Sequence, residues 1–326
     1  MFATNTLATY SALRLCVSPL EVFAALILKQ LAAQGFAHST WEGGLMGRTV
    51  IKDKTFDEER ALYGSVDVSV ENCRFDGPAD GESALKESRH VEVKDTFFNL
   101  RYPLWHVDDL KVDGCVMTDT CRAALWYTTN ASITNSKLHG IKALRECKDI
   151  TMENCSVISP EFGWSVSGLK MKDTSVQSEY FMMRSDHLNF DGVSLNGKYS
   201  FQYISDSVFE NCTFDTKDAF WHAKNVVVRD SVINGEYLAW YCENVTFENC
   251  TIKGTQPLCY CKGLKLIKCR MEDADLAFEK SDVEALITTP VISIKNPRSG
   301  MITLPKAEEL ILDDETSTAR IIQTRV

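Results

Sequence analysis

Asp218, His222 and Glu236 fall in two neighbouring stretches, KDAFWHAKN and NGEY. Two carboxylates and an imidazole suffice for general acid–base chemistry. Glycoside hydrolysis takes a pair of carboxyl groups roughly 5 to 10 Å apart, one protonating the leaving oxygen, the other acting as base or nucleophile. Residue types suited to sugars surround them. Tyr127, Tyr203, Tyr241 and Tyr260, with Trp221 and Trp240, carry flat rings that cover C–H faces, and Arg184 can hydrogen-bond hydroxyls. These residues are scattered along the chain, so a site exists only if the fold stacks them.

The chain is built to stack. Near-copies of one phrase occur in VSVENCRFDG, CKDITMENCSVISP, SVFENCTFDT and CENVTFENCTIKGT. The residue after the Asn of ENC marks each copy: Cys73, Thr96, Cys115, Ser136, Cys155, Thr174, Val193, Cys212, Ser231, Cys250 and Cys269. Successive spacings are 23, 19, 21 and then seven of 19. A fixed period of this size marks a repeat architecture. Apolar residues alternate on both sides of the marker (Val226, Val228, then Ser231 and Ile233), the period-two signature of a strand with one buried face. The alternation slips just before each marker, at Asn72, Asn154, Asn211 or Asn249, residues that tolerate the left-handed corner conformation. A second slip falls at Asp149, Asn225 and Asn244, and a looser third in NGKY and NGEY. Three short strands and three corners per 19-residue coil predict an all-β, right-handed parallel β-helix. Its coils would stack at about 4.8 Å.

Within that frame Asp218 and Glu236 fall on consecutive coils at the third corner, with His222 farther along the same side. The column of His106, Tyr127, Arg184, Tyr203, His222, Tyr241 and Tyr260 should point outward. Five of the six Trp share the adjacent column, and alternation leaves open whether it faces in or out, because the neighbouring Leu104, Leu125, Phe201 and Phe220 also need burial. A long aromatic face predicts carbohydrate binding or processing, of a hydrolase or polysaccharide-lyase type if the protein is an enzyme. The alternative is a non-catalytic structural or protein-interaction rod, its tyrosines packing across coils. The Asp clusters and Arg-x-Lys run of polygalacturonases are absent.

A net charge of −10 argues against nucleic acid as a partner, and mildly against an anionic polymer. Six of the twelve cysteines are markers, and Cys147, Cys242 and Cys261 share another apolar column. Stacked one coil apart, their Cβ vectors run parallel, a poor geometry for disulfides. They read as reduced core thiols, and hence the protein as cytoplasmic. The sequence has C-x-C at 259–261 but no paired C-x-x-C, so neither metal nor cofactor is expected. SPLEVFAALILKQLAAQG carries helix start and stop signals over about 19–33, with an apolar run too short to span a bilayer. The expected organisation is an extension at 1–48 and one β-helix domain at 49–326, with closing strands over about 283–326. Homo-oligomer formation stays open.

The run from about 50 to 315, through TFDEERALYGS, GESALKES, YPLWHVDDLKVD, KDAFWHAKNV, GEYLAWYCENV, LCYCKGL and KNPRSGMI, resembles an uncharacterised bacterial domain-of-unknown-function family of the pectin-lyase-like β-helix group. The resemblance implies the β-helix fold and brings no established activity.

Overall fold

A computed structural model describes residues 47–77 and 82–324. They form a parallel β-solenoid, of the right-handed type, with about 14 turns. No helix occurs among the described residues, and the helix expected over 19–33 lies outside them. The long side of each coil is a six-residue strand, such as Asp186–Asp191, Ser205–Glu210, Lys224–Arg229 and Glu243–Glu248. Each pairs in parallel with its counterpart one coil on: Lys224 with Glu243, Val226 with Val245, Val228 with Phe247. The irregular early spacings appear as register, with Val66 opposite Arg89 and Asp108 opposite Thr129. The second side is a shorter strand, such as Ser194–Lys198, Thr213–Lys217 or Val232–Asn234, also in parallel register. Past the last marker the strands Asp282–Ile287, Ser299–Leu304 and Arg320–Gln323 continue the long side.

The expected third strand is not a strand in most coils. Leu125–Trp126 pairs there with Leu144–Arg145, and in the closing coils Val291–Lys295 pairs with Ala307–Ile311. Elsewhere the chain alternates into the left-handed region, at Tyr199, Phe201 and Tyr203 (φ 58°, 60° and 60°) and again at Asp218, Phe220 and His222 (53°, 61° and 57°). A left-handed residue turns its side chain out of strand alternation. Ala219, Phe220 and Ala223 are therefore all buried, while Trp221 is half-buried and His222 lies on the outer side. Such backbone is unfavourable for residues with a Cβ. It persists because each coil copies the next: the N–H of Tyr203 donates to Trp221 O (2.8 Å), that of Asp218 to Glu236 O (2.9 Å) and that of His222 to Trp240 O (2.9 Å).

The interior is apolar, with phenylalanines stacked across coils; the Phe201 and Phe220 rings are 4.7 Å apart. The small residues at the inner corners satisfy the backbone. Ser231 Oγ accepts the N–H of Cys212 (3.0 Å) and donates to Arg229 O (2.6 Å). Ser136 does the same for Cys115 and Thr134, and Thr174 for Cys155 and Lys172. At the second inner corner, side chains reach a carbonyl on the preceding coil: Cys242 Sγ to Phe220 O (2.8 Å), Cys261 Sγ to Ala239 O (2.9 Å), Ser185 Oγ to Gly163 O (2.7 Å). The eleven described cysteines are free and buried, and burial pushes the Cys115 and Cys147 thiols up to about 12.

Removing one such hydroxyl isolates a buried N–H, which costs about 1–3 kcal/mol. Ser231→Ala should lower the unfolding free energy by that amount and the urea midpoint with it, and Ser231→Cys by less. Equal midpoints for Ser231→Ala and the unaltered protein would show that the corner hydroxyl is dispensable.

Candidate functional site

The residues singled out for chemistry separate into two ridges on the turn side. The first is a ladder of rings at its outer end. Tyr203 stacks on His222 at 4.8 Å with planes 8° apart, His222 on Tyr241 at 5.1 Å and 9°, and Tyr241 on Tyr260 at 4.9 Å and 13°. Tyr260 ends the run with its hydroxyl 3.2 Å from Glu279, which Lys295 pairs at 3.2 Å; burial leads the causes that push its phenol up to about 12. Near-parallel rings at one coil spacing cover one another's faces. The ladder therefore offers edges and hydroxyl tips to solvent. Arg184 is exposed one coil before Tyr203. Tyr127 stands four coils earlier, in a separate cluster with Trp105, Trp126 and His106.

Trp221 and Trp240 belong to the adjacent column, whose direction alternation left open. They lie half-buried on the outer surface, stacked at 5.4 Å and 4°. Each indole N–H donates at 2.7 Å to a carbonyl at the next coil's corner, Trp221 to Tyr237 O and Trp240 to Gln256 O. Trp126 and Trp164 do the same to Lys142 O and Tyr180 O. The tryptophans tie coil to coil.

The second ridge is the corner where the short strands meet the turn side. Here the backbone N–H of Asp218 donates to Glu236 O, so the two residues sit on adjacent coils. Asp218 is only 9% exposed, Glu236 is exposed, and no hydrogen bond or ion pair reaches the Asp218 carboxylate among the described residues. Burial raises its pKa; Lys217 opposes the rise and Glu236 adds to it. His222 lies at the other end of the turn side and bonds neither carboxylate.

Sequence reasoning missed what precedes this pair on the same corner. Ile158, Pro160, Gln177, Ser178, Glu179, Asn196, Gly197 and Lys198 line a cleft of about 290 Å³. Its columns run on in register to the carboxylates: Asn196 is opposite Asp215, and Lys198 opposite Lys217. Asp215 then faces Asn234, two residues before Glu236. Asn196 and Asn234 both donate to Asp215, and Lys198 pairs with Glu179 at 3.2 Å. Gly197 is needed there, since a Cβ would lie 1.8 Å from Ser178 O. The detectable signal was the recurrence of amide and acid residues at one offset, in VQSEY, LNGKY, FDTKD and INGEY.

Residues 49–324 match the family described as "Protein of unknown function (DUF3737)". The chain belongs to that family. It is the resemblance read from the repeat phrases, and its span covers both ridges. No curated protein matches. The solved structures similar to this DUF3737 chain include the catalytic domain of a GH87 alpha-1,3-glucanase in complex with tetrasaccharides, at 8% identity and TM-score 0.35, covering 85% of this chain and 64% of that one, less than two thirds of its length. The periplasmic alginate epimerase AlgG is similar at 8% identity and TM-score 0.28, covering 80% of this chain and 78% of that one. The A-module of the Azotobacter vinelandii mannuronan C-5 epimerase AlgE4 is similar at 12% identity and TM-score 0.20, covering 74% and 82%. At these identities and scores no residue role passes to this chain. Among the described residues no group of His, Cys, Asp and Glu could hold a metal ion, and no helix is long and apolar enough to cross a membrane.

A carboxyl whose folded pKa is raised binds its proton more tightly in the native state than in the unfolded chain. Its stabilising contribution is complete below the ordinary carboxylate value near 3.8 and is lost as pH rises through the raised value. The melting temperature of the unaltered protein minus that of Asp218→Asn should therefore fall as pH rises through and above the ordinary carboxylate range. A difference that is flat or rises across that range would contradict the burial-driven shift.

Proposed function

We propose that the corner from Ile158 to Glu236 binds a linear carbohydrate and that Asp218 and Glu236 are its acid–base pair. One observation carries the reading: a cleft lined by amide, hydroxyl and carboxylate side chains lies in register with the next coil's Asp218, a little-exposed residue whose carboxylate no described side chain bonds, beside the exposed Glu236. Sugars are held through hydroxyl groups and C–H faces, and the lining supplies donors and acceptors beside the apolar Ile158 and Pro160. A carboxyl whose hold on its proton is strengthened by burial, beside one open to water, suits the division of labour in glycosidic cleavage. Asp218 would give its proton to the bridging oxygen, and Glu236 would receive one from water or attack directly.

A scaffold reading is favoured by the ring ladder alone. Tyr203, His222, Tyr241 and Tyr260 have their faces engaged with each other, which suits cross-coil packing. The two readings occupy different ridges, and substitutions separate them.

A panel of neutral and acidic oligosaccharides should yield a binder. Losing one hydrogen bond is worth about 0.5–1.5 kcal/mol, so Asn196→Ala and Gln177→Ala should each weaken it roughly 3- to 10-fold. Tyr203→Ala should leave affinity unchanged and lower the melting temperature. If the bound sugar is processed, Glu236→Gln should abolish turnover while binding persists. A panel without a binder, or affinity lost with Tyr203 and kept without Asn196, would overturn the corner as the site.

A further inference from the structure

The corner carries a ladder of rings with one rung missing. Tyr180, Tyr199, Asp218 and Tyr237 occupy one position on four successive coils, all with left-handed backbone (φ 54°, 58°, 53° and 57°). Tyr180 and Tyr199 stack at 4.9 Å. The next ring position is a carboxylate, and beyond it Tyr237 meets Trp240 edge-on at 5.6 Å. No ring contact joins Tyr199 to Tyr237 among the described residues. Two coil steps separate them, roughly 10 Å at the spacing of parallel strands.

We infer that the gap between Tyr199 and Tyr237 is a subsite for one uncharged six-membered sugar ring, with Asp218 at its floor. The inference rests on the carbohydrate reading of this corner and names the sugar class. A ring in the gap lies one coil step from each tyrosine, the spacing at which Tyr180 and Tyr199 already stack. Its C–H faces then meet aromatic faces and its edge carries hydroxyls to Asp218. Asp218 is little exposed as a residue, yet its carboxylate oxygens reach solvent and no described side chain bonds them, so it is the group in this column that a ligand can engage. Charge selects the class. Lys198 is held by Glu179, and among the described residues Lys217 is the cation of this corner without an ion pair, against Asp215, Asp218 and Glu236. A uronic acid would bring a further carboxylate into that field, whereas a neutral pyranose brings only donors and acceptors.

Asp218→Tyr is the decisive variant, because tyrosine already adopts this backbone on the coils at either side. The probes are neutral gluco-, xylo- and manno-oligosaccharides and an oligogalacturonate, measured by calorimetric titration and tyrosine fluorescence with melting curves alongside. The expected result has four parts. A neutral oligosaccharide binds and the oligogalacturonate does not. Asp218→Tyr loses binding at least 10-fold while melting at or above the unaltered temperature. Asp218→Asn, which keeps the size, weakens binding less. Tyr199→Ala weakens it while Tyr127→Ala does not. Should Asp218→Tyr fail to fold, Asp218→Asn and Tyr199→Ala decide. Binding of a neutral sugar that these variants leave intact would overturn the subsite and leave the corner reading standing. Preference for the oligogalacturonate would overturn the sugar class. Absence of any binding would overturn the corner reading and the subsite together.

Discussion

Each coil turns sharply inside a dry core, and the backbone groups exposed at those corners must find partners within the stack. An unpaired buried N–H or C=O costs about 1–3 kcal/mol. Repeated over a dozen coils, that would exceed the roughly 5–15 kcal/mol by which a protein is stable. The remedy here is local and repeated. The marker hydroxyl of Ser136, Thr174 or Ser231 accepts from the N–H one coil back and donates to the carbonyl two residues back in its own coil. The thiols of Cys147, Cys242 and Cys261 reach the carbonyl left open at the other inner corner. The prevalence of Ser, Thr and Cys at these positions reflects a hydrogen-bonding preference combined with a volume limit, and the small apolar Val193, Val107, Val166 and Ala223 fit the volume limit alone. The same requirement explains the cysteine count without disulfides or metals: a thiol is small, weakly polar and at ease in an apolar wall.

The turn side obeys the same rule by another route. Left-handed residues with side chains cost of order 1–3 kcal/mol each when isolated. They are not isolated here, because neighbouring coils share left-handed positions such as Tyr199 with Asp218 and Tyr203 with His222, and the turned N–H groups meet carbonyls on adjacent coils. The indole N–H groups complete the set by bonding corner carbonyls. The tryptophans and the outer ring ladder serve the stack, and the corner beside them carries short, polar and varied side chains.

Periodicity revealed the stacking because a parallel solenoid converts sequence spacing directly into register; the steps of 23, 19 and 21 at the start became the pairings of Val66, Arg89, Asp108 and Thr129. The third side was misread as strand for a definite reason. Strand alternation assumes that backbone angles stay in one region, and Phe220 between Ala219 and Trp221 breaks that assumption with φ at 61°. Tyr and Phe carry no left-handed signal of their own, so the need to bury Phe201 and Phe220 beside the tryptophan column was the hint. The site was half legible. Asp218 and Glu236 emerged as neighbours, since their offset follows from the period. Gln177, Asn196 and Lys198 did not, because polar residues at a corner read first as turn formers.

In a repeat protein a residue that departs from its column is informative only if the stack does not compensate for it. Arg145 interrupts the tryptophan column, but its guanidinium lies between Trp126 and Trp164, 4.9 and 5.3 Å from their ring centroids, and continues the ladder as a cation–π sandwich. Gln202 interrupts the same column, and its amide bonds Asp218 O at 3.1 Å as an indole would. Lys142 and Glu161 replace tyrosines in the corner column and pair with each other at 3.3 Å. Asp218 alone among these takes the place of a ring, stays buried and acquires no partner. Structural demand accounts for the first four substitutions and not for the fifth, so the weight of a functional reading falls on Asp218 and not on the more conspicuous aromatic face.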